Sequence, residues 1–131
     1  MTVVLDTLAL LAHLRDEPAG ERVRQGWADE GASMCSVNLG EALYLEMRAR
    51  GVTCAGDAVE DARQELNVVD PDWDLIKLAA AVKARGGLSF ADAFCIATAE
   101  RLNAPLWTGD PEIISMADEL GCGVTDLRLA A

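Results

Sequence analysis

Short apolar runs alternate with longer helical patterns along this chain, and that alternation constrains its fold most. Val3-Val4-Leu5 reads as a buried strand, and Thr7 to Arg15 carries leucines at helical spacing. Glu17 to Glu30 reads as a second helix, opened by Pro18 and ended by Gly31. Ser33 to Ser36 is a weaker strand, followed by a helix from Asn38 to Arg50 that Gly51 closes. A less hydrophobic helix over Cys54 to Leu66 leads to a strand at Asn67-Val68-Val69. Asp70-Pro71-Asp72 opens the next helix, with Leu75, Ile76, Leu78, Ala79 and Val82 inward and Gly86-Gly87 as the stop. Ser89 to Asn103 is the most apolar helix; Leu106-Trp107, Pro111 to Glu119 and Gly123-Val124-Thr125 then read as strand, short helix and strand. Strands separated by helices of these lengths predict a three-layer α/β/α domain around a mainly parallel sheet. At 131 residues the chain suits a single domain over 1–131, and no repeat or linker divides it.

Composition narrows the setting. With 51% hydrophobic residues and a mean hydropathy of +0.15, the chain is too apolar to stay disordered. The longest apolar candidate, Val3 to Leu14, is broken by Asp6 and His13 and is too short to span a membrane. It also lacks the basic lead of a signal peptide. Cys35, Cys54, Cys95 and Cys122 form no metal or disulfide spacing, so they read as buried thiols of a cytoplasmic protein. A single histidine, His13, excludes His-rich metal sites within one subunit, and the pattern puts it on the solvent side of the first helix. Eleven Lys and Arg against twenty-two Asp and Glu give a net charge of −11, which by itself opposes binding through phosphate contacts. Acids gathered around divalent cations would reconcile that balance with nucleic acid, because the ion reverses the local field.

Four acids stand at junctions of these elements. Asp6 ends the first strand, Glu41 and Asp92 lie in first turns of helices, and Asp110 follows Leu106-Trp107 and precedes Pro111. Ligands of open α/β sheets bind beyond the carboxyl ends of strands, so these four can converge. Each also has a structural explanation. Asn38-Leu-Gly-Glu41 and Ser89-Phe-Ala-Asp92 resemble capping boxes, and Asp110-Pro111 resembles a helix start. Asp70-Pro71-Asp72 carries the same signal, and spacing alone leaves it in contention. Carboxylates clustered without His or Cys form a hard-oxygen site suited to Mg²⁺ or Mn²⁺, which activates water for phosphodiester hydrolysis. No Gly-rich phosphate loop supports an ATPase or dinucleotide reading.

Taken in order, these segments resemble the PIN-domain family across nearly the whole chain. The resemblance rests on Val3-Val4-Leu5-Asp6-Thr7, Ser36-Val-Asn38-Leu-Gly-Glu41, Leu88-Ser89-Phe90-Ala91-Asp92-Ala93 and Thr108-Gly109-Asp110. It implies that Asp6, Glu41, Asp92 and Asp110 are catalytic acids that bind Mg²⁺ or Mn²⁺. Thr108, Ser36 and Asn38 take supporting roles, Glu112 is an accessory acid, and Asp70 has no place in the set. The compact size is similar to VapC-type toxins of VapBC toxin–antitoxin pairs. That likeness implies a metal-dependent endoribonuclease, a homodimer, an RNA substrate and a VapB-type antitoxin. A catalytically silent PIN-fold interaction module is the alternative, and a phosphatase of small phosphate esters is a remote third. Arg22, Arg24, Arg48, Arg50, Lys83 and Arg85 are the candidates for holding RNA, with none preferred.

Overall fold

The computed structural model describes residues 2–130. Its sheet consists of five parallel strands: β1 (Val3–Leu5), β2 (Ala32–Cys35), β3 (Asn67–Val69), β4 (Leu106–Thr108) and β5 (Val124–Asp126), in the order β3-β2-β1-β4-β5. Seven α-helices are α1 (Thr7–Leu14), α2 (Gly20–Glu30), α3 (Ser36–Arg50), α4 (Val52–Glu65), α5 (Trp73–Ala84), α6 (Phe90–Leu102) and α7 (Pro111–Ser115). Short 3₁₀ turns follow at Ala117–Glu119 and Leu127–Ala130.

Strand side chains alternate between faces, and this builds two cores from one sheet. Val3, Leu5 and Met34 pack with α1 to α4 on one side. Val4, Cys35 and Leu106 pack with α5, α6 and Ile113 of α7 on the other. β1, central and fully covered, reads as an unbroken apolar run, as expected for a strand buried on both faces. Each such side chain contributes roughly 1.5–3 kcal/mol on burial. The three-layer α/β/α architecture expected from the sequence is therefore present, and all strand pairs are parallel.

Several boundaries differ from the sequence reading, for local reasons. α2 starts at Gly20 because Glu17 and Pro18 belong to a turn, in which the Glu17 N–H donates to Ala12 O at 2.9 Å. A Cβ on Gly20 would lie 2.5 Å from Ala12 O, so glycine permits the close approach of α2 to α1. α3 begins at Ser36, directly after β2, and β2 is shifted one residue earlier than expected. Leu78, expected inward, is 41% exposed, because α5 buries only Leu75, Ala79 and Val82 fully. His13 is not on the solvent side: it is half-buried, with its ring edge-on to Trp27 at 5.4 Å, while Leu8, one of the helically spaced leucines of α1, is exposed. Cys54 is exposed and Cys122 half-buried, so only Cys35 and Cys95 are buried thiols. Among the described residues, no helix is long and apolar enough to cross a membrane.

The chain fills one edge of the sheet with β2 and β3, then returns to the other side of β1 with β4 and β5. The order reverses between β1 and β4, and the carboxyl ends of these neighbours border the crevice where ligands of such sheets bind.

Candidate active site

Asp6 leaves β1 at this reversal and N-caps α1: its Oδ1 accepts from the Ala9 N–H at 2.7 Å. Its Oδ2 accepts from the Thr108 hydroxyl at the end of β4. Thr108 Oγ1 in turn accepts from the Asp110 N–H at 2.9 Å, so one buried hydroxyl links the two strand ends. Asp110 N-caps α7, accepting from the Glu112 N–H at 2.9 Å, with Pro111 at the first helical position. Asp92 lies in the first turn of α6, where its N–H donates to Ser89 Oγ at 3.1 Å.

Glu41 behaves otherwise than its capping-box pattern suggests. Because α3 begins at Ser36, Glu41 lies in the second turn and has no cap to make. Its Oε1 instead accepts from the hydroxyl of Thr7, which reaches across from the first residue of α1. Asp72, by contrast, caps α5 and pairs with Arg101 at 2.9 Å, while Asp70 is exposed; neither faces the crevice.

Asp6, Glu41, Asp92, Asp110 and Glu112 line one cleft of about 280 Å³ together with Thr7, Leu8, Leu45 and Ser89. Carboxylate oxygens of Asp92, Asp110 and Glu112 lie within 4.8 Å of one another. Crowded acids of this kind raise the cost of ionisation. Burial, reinforced by the charges of Asp110 and Asp92, pushes Asp6 from 3.8 to about 7, against the Thr108 and Ala9 hydrogen bonds. Burial and then the Asp110 charge push Asp92 up to about 6. A cleft that penalises its own negative charge, built of oxygen donors alone, fits a hard divalent cation.

Of the expected supporting residues, Thr108 makes the contacts just described. Asn38 is buried, and its Nδ2 donates to Ala91 O at 2.8 Å, tying α3 to the start of α6. Its Oδ1 is buried without a hydrogen-bond partner among the described residues. Ser36 lines a separate groove between α3 and α4 with Leu39 and Arg63, away from the acids. Thr7 and Ser89 were not singled out in the sequence as site residues. The signal for both was a hydroxyl next to, or three before, a candidate acid.

The family model described as PIN domain matches residues 3–119. The chain belongs to the PIN domain family. Solved structures share the fold. VapBC2 from Rickettsia felis, bound to a DNA fragment from its promoter, aligns at 13% identity with a TM-score of 0.76, covering 96% of this chain and 98% of that one. DNA-bound VapBC from Salmonella typhimurium aligns at 19% identity and a TM-score of 0.74, covering 97% and 98%. VapC20 from Mycobacterium tuberculosis, a sarcin-ricin loop cleaving toxin, aligns at 21% identity and a TM-score of 0.70, covering 86% and 93%. No curated protein matches the sequence significantly.

Proposed function

We propose that this PIN domain is a metal-dependent endoribonuclease, the toxin of a type II toxin–antitoxin pair. The observation that carries the reading is the convergence of five carboxylates, from four separate segments, in the cleft at the sheet's reversal point. Asp6, Glu41, Asp92 and Asp110 are assigned as the acids that hold Mg²⁺ or Mn²⁺, with Glu112 as a fifth beside Asp92 and Asp110. When bound, the ion would lower the pKa of a water and stabilise the leaving oxygen of a phosphodiester. The chain's own residues prepare that chemistry. Thr108 and Ala9 fix the two oxygens of Asp6, and Thr7 fixes Glu41, so neither carboxylate must be ordered when ligand arrives. Ser89 orients the first turn of α6 and thereby Asp92.

The reading includes a VapB-type antitoxin, a homodimer and action on RNA in the cytoplasm. It is supported by the likeness to VapBC structures, and to VapC20 named as a cleaving toxin. An antitoxin arginine entering the cleft would meet paired carboxylates, a geometry suited to its fork. The test is to incubate the purified protein with total cellular RNA and Mg²⁺ or Mn²⁺, beside Asp6→Asn, and map new RNA ends. Discrete ends that require metal and Asp6 support the nuclease. Cleavage that persists in Asp6→Asn and Asp92→Asn sinks the site assignment. Failure to bind Mn²⁺ would favour the silent interaction module.

A further inference from the structure

Beside the acidic cleft, sharing Leu8 as a wall, lies a second depression of about 190 Å³. Leu8, Ala12, Ala19 and Leu127 give it apolar sides, and Gly109 connects it along the backbone to Asp110. Its two charged lining residues are Glu17 and Arg128.

Arg128 reaches this place through the sheet. The register pairs Thr108 of β4 with Asp126 of β5, so the residues after Asp126 emerge at the same carboxyl edge as the acids. Leu127 is buried and anchors the turn. Asp126 then grips one edge of the guanidinium: Arg128 Nε donates to Oδ1 at 3.1 Å and Nη2 to Oδ2 at 3.0 Å. The backbone N–H of Arg128 donates to the same carboxylate at 2.9 Å. An arginine has five N–H donors, so this grip leaves the hydrogens of Nη1 and the second hydrogen of Nη2 for another acceptor.

The charge balance says what those donors are for. At −11 the chain has little capacity to hold RNA by phosphates. Arg15, Arg24, Arg50, Arg63, Lys77 and Arg101 are also paired with carboxylates. Of the other cations, Arg22 and Arg48 lie over the Trp107 and Tyr44 rings, and Lys83 and Arg85 donate to Leu88 O and Glu119 O. Bases, which unstack readily in single-stranded RNA, would add affinity and register to what a bound cation and these few charges contribute.

We propose that this depression is a nucleobase subsite that takes a guanine flanking the scissile phosphate, with Arg128 reading its O6 and N7. The inference rests on the ribonuclease reading of the adjoining cleft. Two parallel N–H donors match the two acceptors of guanine O6/N7, the pairing arginine makes most often with a base. Glu17 supplies acceptors for the donor edge of the same base, and the apolar walls suit its faces. A phosphate would use the arginine equally well but would gain nothing from Leu8, Ala19 and Leu127.

The test is cleavage of a short single-stranded RNA pool of random sequence with Mn²⁺, comparing wild type with Arg128→Ala, Arg128→Lys and Ala19→Leu. Thermal melting of each variant serves as the folding control. Wild-type ends should show guanine enriched at one nucleotide beside the cut. Arg128→Ala should reduce that preference about tenfold or more. Arg128→Lys, which keeps the charge and loses the fork, should also lose the preference. Ala19→Leu, which fills the depression, should raise KM about tenfold with kcat and Mn²⁺ affinity unchanged. Wild-type preference and KM in all three folded variants would overturn the subsite while leaving the nuclease intact. A sequence-uniform loss in Arg128→Ala, with a salt slope reduced by about 1, would make Arg128 a phosphate contact and overturn it too. Absence of metal-dependent, Asp6-dependent cutting by the wild type would overturn the ribonuclease reading and the subsite together.

Discussion

Replacing Asp6 by Asn should stabilise this protein and at the same time abolish its proposed activity. Asp6 is 3% exposed, and burial with the neighbouring Asp110 and Asp92 charges raises its pKa from 3.8 to about 7. A carboxyl group raised in the folded state contributes stability that is fully present below pH 3.8 and is lost as pH rises through about 7. Without metal, the wild type therefore folds at an increasing cost across that window. Asn keeps the shape: its Oδ1 can still accept from the Ala9 N–H, and its Nδ2 can donate to Thr108 Oγ1.

Integrating between the two pKa values gives a cost of about 2 kcal/mol at pH 5 and about 4 kcal/mol at pH 8. The advantage of Asp6→Asn over wild type should thus grow by about 2–3 kcal/mol between these values, or roughly 10 °C in Tm for a domain of this size. Asp92, pushed up to about 6, adds a pH dependence of the same sign in both proteins, so their difference reports chiefly on Asp6. Thermal denaturation of both proteins in chelator at pH 5 and pH 8 measures this directly. A variant that melts below wild type at pH 8, or whose advantage does not increase with pH, would refute the burial argument.

Four further outcomes follow from named contacts. Mn²⁺ at 100 times its Kd should stabilise wild type by about 2.7 kcal/mol, and Asp92→Asn by much less; equal shifts in both would remove Asp92 from the ligand set. Thr108→Val deletes the hydroxyl that joins Asp6 to the Asp110 N–H, and should cost about 1–3 kcal/mol in urea unfolding and about 10- to 100-fold in Mn²⁺ affinity by calorimetry. Gly26→Ala sets a Cβ 2.3 Å from the Trp107 ring, which Arg22 covers at 5.4 Å, and should lower stability by about 1–3 kcal/mol; an unchanged Tm contradicts that packing. Leu106→Ala, at the fully buried start of β4, should cost about 2–5 kcal/mol in the same assay.

The fold was legible because period and punctuation agree in this chain. Val3-Val4-Leu5 reads as a buried strand and is covered on both faces, and Gly31, Gly51 and Asn103 end helices with positive φ as their residue types suggest. Single helix positions were less legible, because a helical wheel does not say which neighbours a face meets. Leu8 is exposed since α1 presents it to the cleft, and His13 is covered because α2 returns with Trp27. For the site, the acids were readable as residues at junctions, but their partners were not. Thr7 meets Glu41, and Thr108 meets Asp6, through pairings 34 and 102 residues apart in sequence. Arg128 was invisible for the same reason: only the register of β5 on β4 brings it to the active edge.

The sequence offered two explanations for each acid, helix cap or ligand, as though they competed. In the structure they coincide. Asp6 and Asp110 each spend one oxygen on a helix N-terminus, at 2.7 Å and 2.9 Å, while lining the cleft. A cap sets the position of a carboxylate relative to a strand end without any added residue, and a helix N-terminus offsets part of the repulsion among neighbouring acids. Glu41 is the exception that tests this idea, because it caps nothing and depends on the Thr7 hydroxyl alone. If a hydrogen bond to one oxygen is what holds these acids before a cation arrives, Thr7→Val should disorder Glu41 and weaken Mn²⁺ binding more than it weakens the fold. A cap deletion elsewhere, such as Asp72→Ala on α5, should do the reverse.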